Sequence, residues 1–243
     1  MTEAFAAHRI DVTFDFRDDT PAGQDPDARS PTLRTYHQWL WGKPLPSGIV
    51  FELSVSKPRV YLHHTSRLGE FFLSSDSVIP SFRKEPALAP VREQVLQSDR
   101  DDFLRLTYTI GGMMVFPANQ VAGKMTINGQ RGCHPRIKDR FDLTVECIRR
   151  HYSGERSPLS ATLERYADFF RLFESFEGYV DFFLLQDLVT RDYSAVRFFL
   201  PFTDFDVSPL PKTLEAYLQY CDRASEFIHA RNVRILASDA ARQ

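Results

Sequence analysis

FLRLTYTIGGMMVFP, residues 103–117, stands where the chain changes character. Its apolar residues fit two templates: a pair of strands kinked at Gly111 and Gly112, or a helix that ends there. Periodicity alone leaves both open. Upstream, RIDVTFDFRD (residues 9–18) alternates Ile10, Val12, Phe14 and Phe16 with Asp11, Thr13 and Asp15, the pattern of a half-buried strand. IVFELSV (49–55) and RVYLHH (59–64) flank Ser56, Lys57 and Pro58 and predict a hairpin, with EFFLSS (70–75) as a third strand. One helix interrupts this half. Ser30 and Pro31 read as N-cap and first helical residue, and TLRTYHQWLW runs from there to a stop at Gly42.

Downstream the period lengthens. Ile137, Phe141, Val145, Ile148 and Tyr152 share one helical face, closing near Gly154. Ser157 and Pro158 open another helix, with Leu159, Leu163, Tyr166, Phe170 and Phe173 on one side. Residues 178–189 predict a short buried helix and AVRFFLPF (195–202) a strand. A final helix over residues 213–235 turns Leu214, Leu218, Cys221, Ser225 and Ile228 inward. Residues 76–99 are ambiguous, because Pro80, Pro86 and Pro90 break any long helix. Strands gathered early and helices late predict an α+β fold: a small, mostly antiparallel sheet packed against a helical C-terminal half. With no internal repeat or linker, residues 1–243 read as one domain, with 1–9 and 237–243 as frayed ends.

The 21 phenylalanines, several in doublets, predict a core dominated by aromatic burial. A formal net charge of −2 excludes nucleic-acid binding by bulk charge, so any anion site must be local. Three cysteines without a C-x-x-C pair argue against a disulfide framework or a zinc ribbon. No secretory leader is visible, and no apolar run approaches the roughly 18 residues of a membrane span. These features predict a soluble protein of a reducing cytoplasm, with no membrane partner.

The strongest functional signal is GKMTINGQRGCHPRIKDR, residues 123–140, with three glycines, six basic side chains and one acidic one. Pro135 suits the first turn of a helix, whose unpaired N–H groups attract anions. Lys124, Arg131, Gly132, His134, Arg136 and Arg140 are therefore the candidate ligand-binding residues, with Arg136 and Arg140 one turn apart. The arginines suit phosphate, in a nucleotide or RNA, and His134 is the candidate proton shuttle. The competing expectation is a non-enzymatic protein-interaction or structural protein without a small-molecule site. In it Asn128 and Gly129 form a hairpin turn, and the arginines pair with Asp139, Asp142 and Glu146. The spacing matches neither a P-loop nor a dinucleotide fingerprint.

His63, His64 and Asp76 are secondary candidates. Adjacent histidines on a strand face opposite ways, so at most one lines any pocket. YLHHTS resembles the opening strand of ADP-ribosyltransferases, but the acidic residue late in a strand has no counterpart in VRFFLPF. Asp15, Asp18, Asp19, Asp25 and Asp27 gather in one loop without the calcium-loop pattern, and no metal or cofactor is called for.

DFRDDTPAGQDPDARSPTLRTYHQWLWGKPLPSG, FFLSSDSVIPSF, MTINGQRG and DRFDLTVECIRRHY together resemble a family of bacterial proteins catalogued only as a domain of unknown function. The resemblance spans residues 15–199 and implies a single soluble bacterial domain. It carries over neither activity nor site.

Overall fold

A computed structural model describes residues 10–55, 57 and 60–242. Among these, three strands pair antiparallel in the order β1-β2-β3: β1 (Leu62–Ser66), β2 (Gly69–Ser77) and β3 (Met113–Pro117). Leu62 faces Leu73 across the first pair, and Asp76 faces Met114 across the second. Helices α1 (Pro26–Arg29) and α2 (Pro31–Trp41) precede the sheet. Between β2 and β3 lie α3 (Ala89–Arg92) and α4 (Gln97–Thr107). After the sheet come α5 (Ile127–Cys133), α6 (Phe141–Tyr152), α7 (Ser160–Glu164), α8 (Ala167–Arg171), α9 (Phe176–Phe182) and α10 (Leu214–Ala240). The fold is α+β, as the segregation of periods predicts.

Residues 103–117 contain half of each template. The helix ends at Thr107, a 3-10 turn spans Ile110–Gly112, and the strand starts at Met113. The glycines are required by close approach. A Cβ on Gly111 would lie 2.7 Å from the Ile228 carbonyl oxygen, and one on Gly112 2.4 Å from that of Thr107. The break therefore lets α10 press directly on the turn that feeds β3.

Ser30 caps α2 as expected, its Oγ accepting from the Leu33 N–H at 3.0 Å, and Gly42 follows the last helical residue. Leu33, Tyr36, His37, Leu40 and Trp41 make the buried face. Ser30→Ala removes the side-chain acceptor from a buried position and is expected to lower stability by about 1 kcal/mol, read as a shift in the urea midpoint with unchanged slope.

Several expected elements differ. Residues 10–18 form turns, not a strand: Asp11 accepts from the Thr13 N–H and Asp15 from the Arg17 N–H, and the Phe16 N–H bonds to the Tyr108 carbonyl. Short polar side chains here satisfy the backbone that a neighbouring strand would otherwise pair. The first expected hairpin reduces to an isolated bridge between Ser54 and His63, and most of its expected turn lies outside the described residues. AVRFFLPF is likewise irregular and forms no strand, with an isolated bridge from Val196 to Val189. Helix α10 continues through Ala240, so residues 237–240 are helical rather than frayed. Asp239 is buried and accepts from the Ile10 N–H and the Trp39 indole. Its inner face is Tyr217, Tyr220, Ala224, Phe227, Ile228, Arg231 and Ile235, and Leu218 points outward.

The core is aromatic. Trp41, Phe51, Phe169, Phe173, Tyr179, Phe182 and Phe183 pack with centroids about 5–6.5 Å apart, in the edge-on and tilted geometries that the ring quadrupole favours. Arg231 is buried beside them without a carboxylate. Its guanidinium donates to the carbonyls of Gly111, Met113 and Phe183, tying α10 to the start of β3. Burial pushes its pKa down to about 9.

Candidate functional site: an acid-floored cleft

The basic segment folds otherwise than its spacing suggests. Thr126 caps α5, so Asn128 and Gly129 lie inside a helix and not in a hairpin turn. After Cys133 the chain turns back: Ile137 and Lys138 N–H groups bond to the His134 carbonyl, and the Asp139 N–H bonds to the Arg131 carbonyl. Lys138 and Asp139 both adopt left-handed backbone, at φ 48° and 66°. That pair of residues blocks a helix starting at Pro135, and α6 begins at Phe141. No helix N-terminus stands at Pro135, and Arg136 and Arg140 are not one turn apart on a common face.

The arginines are occupied. Arg131 is fully buried, and each of its three nitrogens has an acceptor. Nη1 lies 2.5 Å from Asp76 Oδ2 and 2.7 Å from Asp139 Oδ1. Nη2 donates to the carbonyls of Asp139 and Val78 at 2.7 and 3.1 Å, and Nε to Thr144 Oγ1 at 3.3 Å. Arg140 is also buried; it grips Asp142 with two nitrogens and donates to the Pro209 carbonyl. Asp142 in turn accepts from the Phe199 N–H. Both arginines act as internal ties, a correction to the expectation that they face a ligand. Arg136 is exposed and pairs with Asp206 at 2.8 Å. Lys124 is exposed. His134 Nδ1 accepts from the Arg136 N–H, and burial with the Arg136 charge lowers its pKa.

The two strand histidines divide as adjacency requires. His64 points inward, 4.4 Å from the Phe51 ring, with Nδ1 at the Glu52 carbonyl. His63 points outward to Glu70. Neither lines the cleft in which the other candidates meet. A further histidine, His37, is buried 2.9 Å from Ser75 Oγ, a separation that invites a nucleophile–base reading. The Trp41 indole N–H donates to His37 Nδ1, which leaves the proton on Nε2. Nε2 is then a donor to Ser75 and not its base, and burial holds the His37 pKa at about 3.

Asp76, Gly132, Lys138 and Asp139 do meet, on one wall of a cleft of about 780 Å³. Asp25 and Asp27, from the acidic loop, and residues 79–85 line the same cleft. Asp25 caps α1, placing Asp27 in its first turn. Asp27 Oδ2 accepts from the Ser77 N–H at 2.9 Å. Its Oδ1 is buried and meets no donor among the described residues. Burial, opposed by the Ser77 N–H and reinforced by Asp25 and Asp139, raises the Asp27 pKa from 3.8 to about 6. Asp76 is 23% exposed at its side chain, yet burial is the largest influence on it and raises its pKa. Arg131 opposes that rise, and Asp139 and Asp27 add to it. Asp76 and Asp139 pair with the one guanidinium while Asp27 bonds to the Ser77 N–H, and burial favours the protonated forms of Asp27 and Asp76.

Of the sequence candidates, then, Asp76 and Gly132 line the cleft directly, and Arg131 underlies it. Asp27 is legible in the sequence as one of the five acidic-loop carboxylates, and nothing local marks it as a neighbour of Asp76. Among the described residues, no group of three or more His, Cys, Asp or Glu is placed to hold a metal ion. No helix there is long and apolar enough to cross a membrane, and Cys133, Cys147 and Cys221 are all free.

No curated protein and no solved structure matches the chain. A family model, described as a family of unknown function (DUF6994), matches residues 10–235. The match covers the cleft and every element that builds it, and the chain belongs to that family of unknown function.

Proposed function

We propose that the protein binds a small polar ligand in this cleft, through a cationic or N–H-rich group that enters between Asp27, Asp76 and Asp139. One observation carries this reading: Asp27 Oδ1 is a buried acceptor without a donor, in a site with more carboxyl groups than the single guanidinium beneath them can neutralise. A buried unpaired acceptor costs about 1–3 kcal/mol, which a ligand donor recovers. An ammonium or guanidinium group supplies the missing donor and the missing charge together. The cleft volume lies within the range of small-molecule sites. Arg131 and Arg140 are occupied by internal partners, so the phosphate group expected from the basic segment belongs at the cleft rim and not on them. Three free thiols, one of them exposed, suit a reducing cytoplasm as the working compartment.

Agmatine, a small amine with a guanidinium head, is a suitable probe. Isothermal titration is expected to show saturable binding that Asp27→Asn weakens about tenfold, the loss of one charge-assisted contact. Equal affinity in the wild type and the variant, or no binding of agmatine, overturns the proposal.

A further inference from the structure

The same cleft is lined also by Tyr108, Arg83 and Lys84, and Arg83 and Tyr108 line an adjoining recess of about 230 Å³. The Arg83 guanidinium has no ion pair or hydrogen bond among the described residues, whereas the nearby Lys138 is held by Glu85 at 3.0 Å. The segment that carries Arg83 is fixed. Phe82 adopts a left-handed backbone, φ 54°, that bulky residues rarely tolerate. Its buried ring packs 4.9 Å from Tyr220, the Tyr220 hydroxyl donates to the Pro80 carbonyl, and the Glu85 N–H closes a turn onto the Phe82 carbonyl. Anchored strain of this kind marks positions that the surrounding structure holds for a purpose. Here it holds a free guanidinium at the mouth of a cleft whose floor is acidic. Tyr108 lines the cleft as well; burial raises its pKa most, Asp27 adds to the rise and Arg83 opposes it.

We infer that the ligand is amphoteric: a molecule of amino-acid to nucleotide size whose N–H-donating head meets Asp27 and Asp76, and whose carboxylate or phosphate meets Arg83. This inference rests on the cleft being the ligand site. A purely cationic ligand would leave Arg83 unused, and a purely anionic one would be repelled by the floor. A planar guanidinium accepts either oxyanion in two-pronged fashion, so the anionic group is defined by its chemistry and its source by experiment.

Two pairs of probes separate the possibilities, each with and without its anionic group: agmatine against arginine for carboxylate, and guanosine against guanosine monophosphate for phosphate. In at least one pair the anionic member is expected to bind about tenfold more tightly, and Arg83→Ala is expected to abolish that advantage while leaving agmatine affinity within about twofold. Which pair shows it identifies the oxyanion. Agmatine binding without an anionic advantage in either pair, or an advantage that survives Arg83→Ala, overturns the inference while leaving the acid-floor reading intact. Failure of agmatine to bind at all overturns the reading on which it rests.

Discussion

Replacing Arg131 with alanine is expected to lower the unfolding free energy by about 3–5 kcal/mol, the usual result of removing one partner from a buried ion pair. The physical cause is what stays behind. Asp76 and Asp139 lose their shared counter-charge, and the carbonyls of Val78 and Asp139 and the hydroxyl of Thr144 lose their donor. These acceptors belong to the end of β2, the turn before α6 and α6 itself, so a single side chain joins three elements. Arg131→Lys is not expected to rescue, because one ammonium cannot reach five acceptors spread around a plane. Arg136→Ala serves as the contrast: its pair with Asp206 is exposed on both sides, and the loss should stay within about 0.5 kcal/mol. Urea unfolding of the three variants checks the set. A small, equal effect for Arg131 and Arg136 would contradict the structural role.

The second large effect is a pH-dependent gain. The Asp27 pKa stands at about 6 in the folded protein and near 3.8 when unfolded, so between those values the native state binds the extra proton. Stability therefore falls as pH rises from about 4 to about 6, then levels off, and the raised Asp76 extends the fall to higher pH. Asp27→Asn removes the buried charge and keeps the shape. It is expected to stabilise the protein by about 2–3 kcal/mol at pH 8, since every tenfold rise in proton affinity on folding corresponds to about 1.4 kcal/mol. At pH 4, where Asp27 is largely protonated in the fold, the gain should nearly vanish. An equal gain at both pH values would show that the side chain is not held protonated. That a carboxyl group costs stability where an amide would not is itself the pattern of a site kept for binding.

The elements legible in the sequence are those whose signals are local. The Ser30-Pro31 start and Gly42 stop of α2 and the β2 strand around FFLSS rest on chemistry within a few residues, whereas α10 buries a different face from the expected one and α6 is buried all round from Phe141 to Ile148. The expected strand at residues 10–18 fails because alternation reports one-sided burial, and Asx turns with long-range caps from Asp239 and Tyr36 give the same alternation without a partner strand. The basic segment misleads for a related reason. Charge spacing shows which side chains are near one another along the chain, but not that Asp76, 55 residues earlier, already holds Arg131. Asp76 is visible as a candidate because its strand is visible. Asp27 is visible only within the acidic loop; its place beside Asp76 comes from β2, the loop at residues 79–85 and the turn at Lys138, which meet only in the fold.

The central claim is that a cation can take the place of the protons now shared by the cleft carboxyls. Calorimetric titration of agmatine at pH 6, where Asp27 is about half protonated, repeated in buffers of different ionisation enthalpy, tests it most directly. Entry of a guanidinium should expel up to about one proton per ligand, so the observed heat should change with the buffer, and Asp27→Asn should reduce that difference. Binding heat that is the same in every buffer, or the same in the variant, would contradict the account.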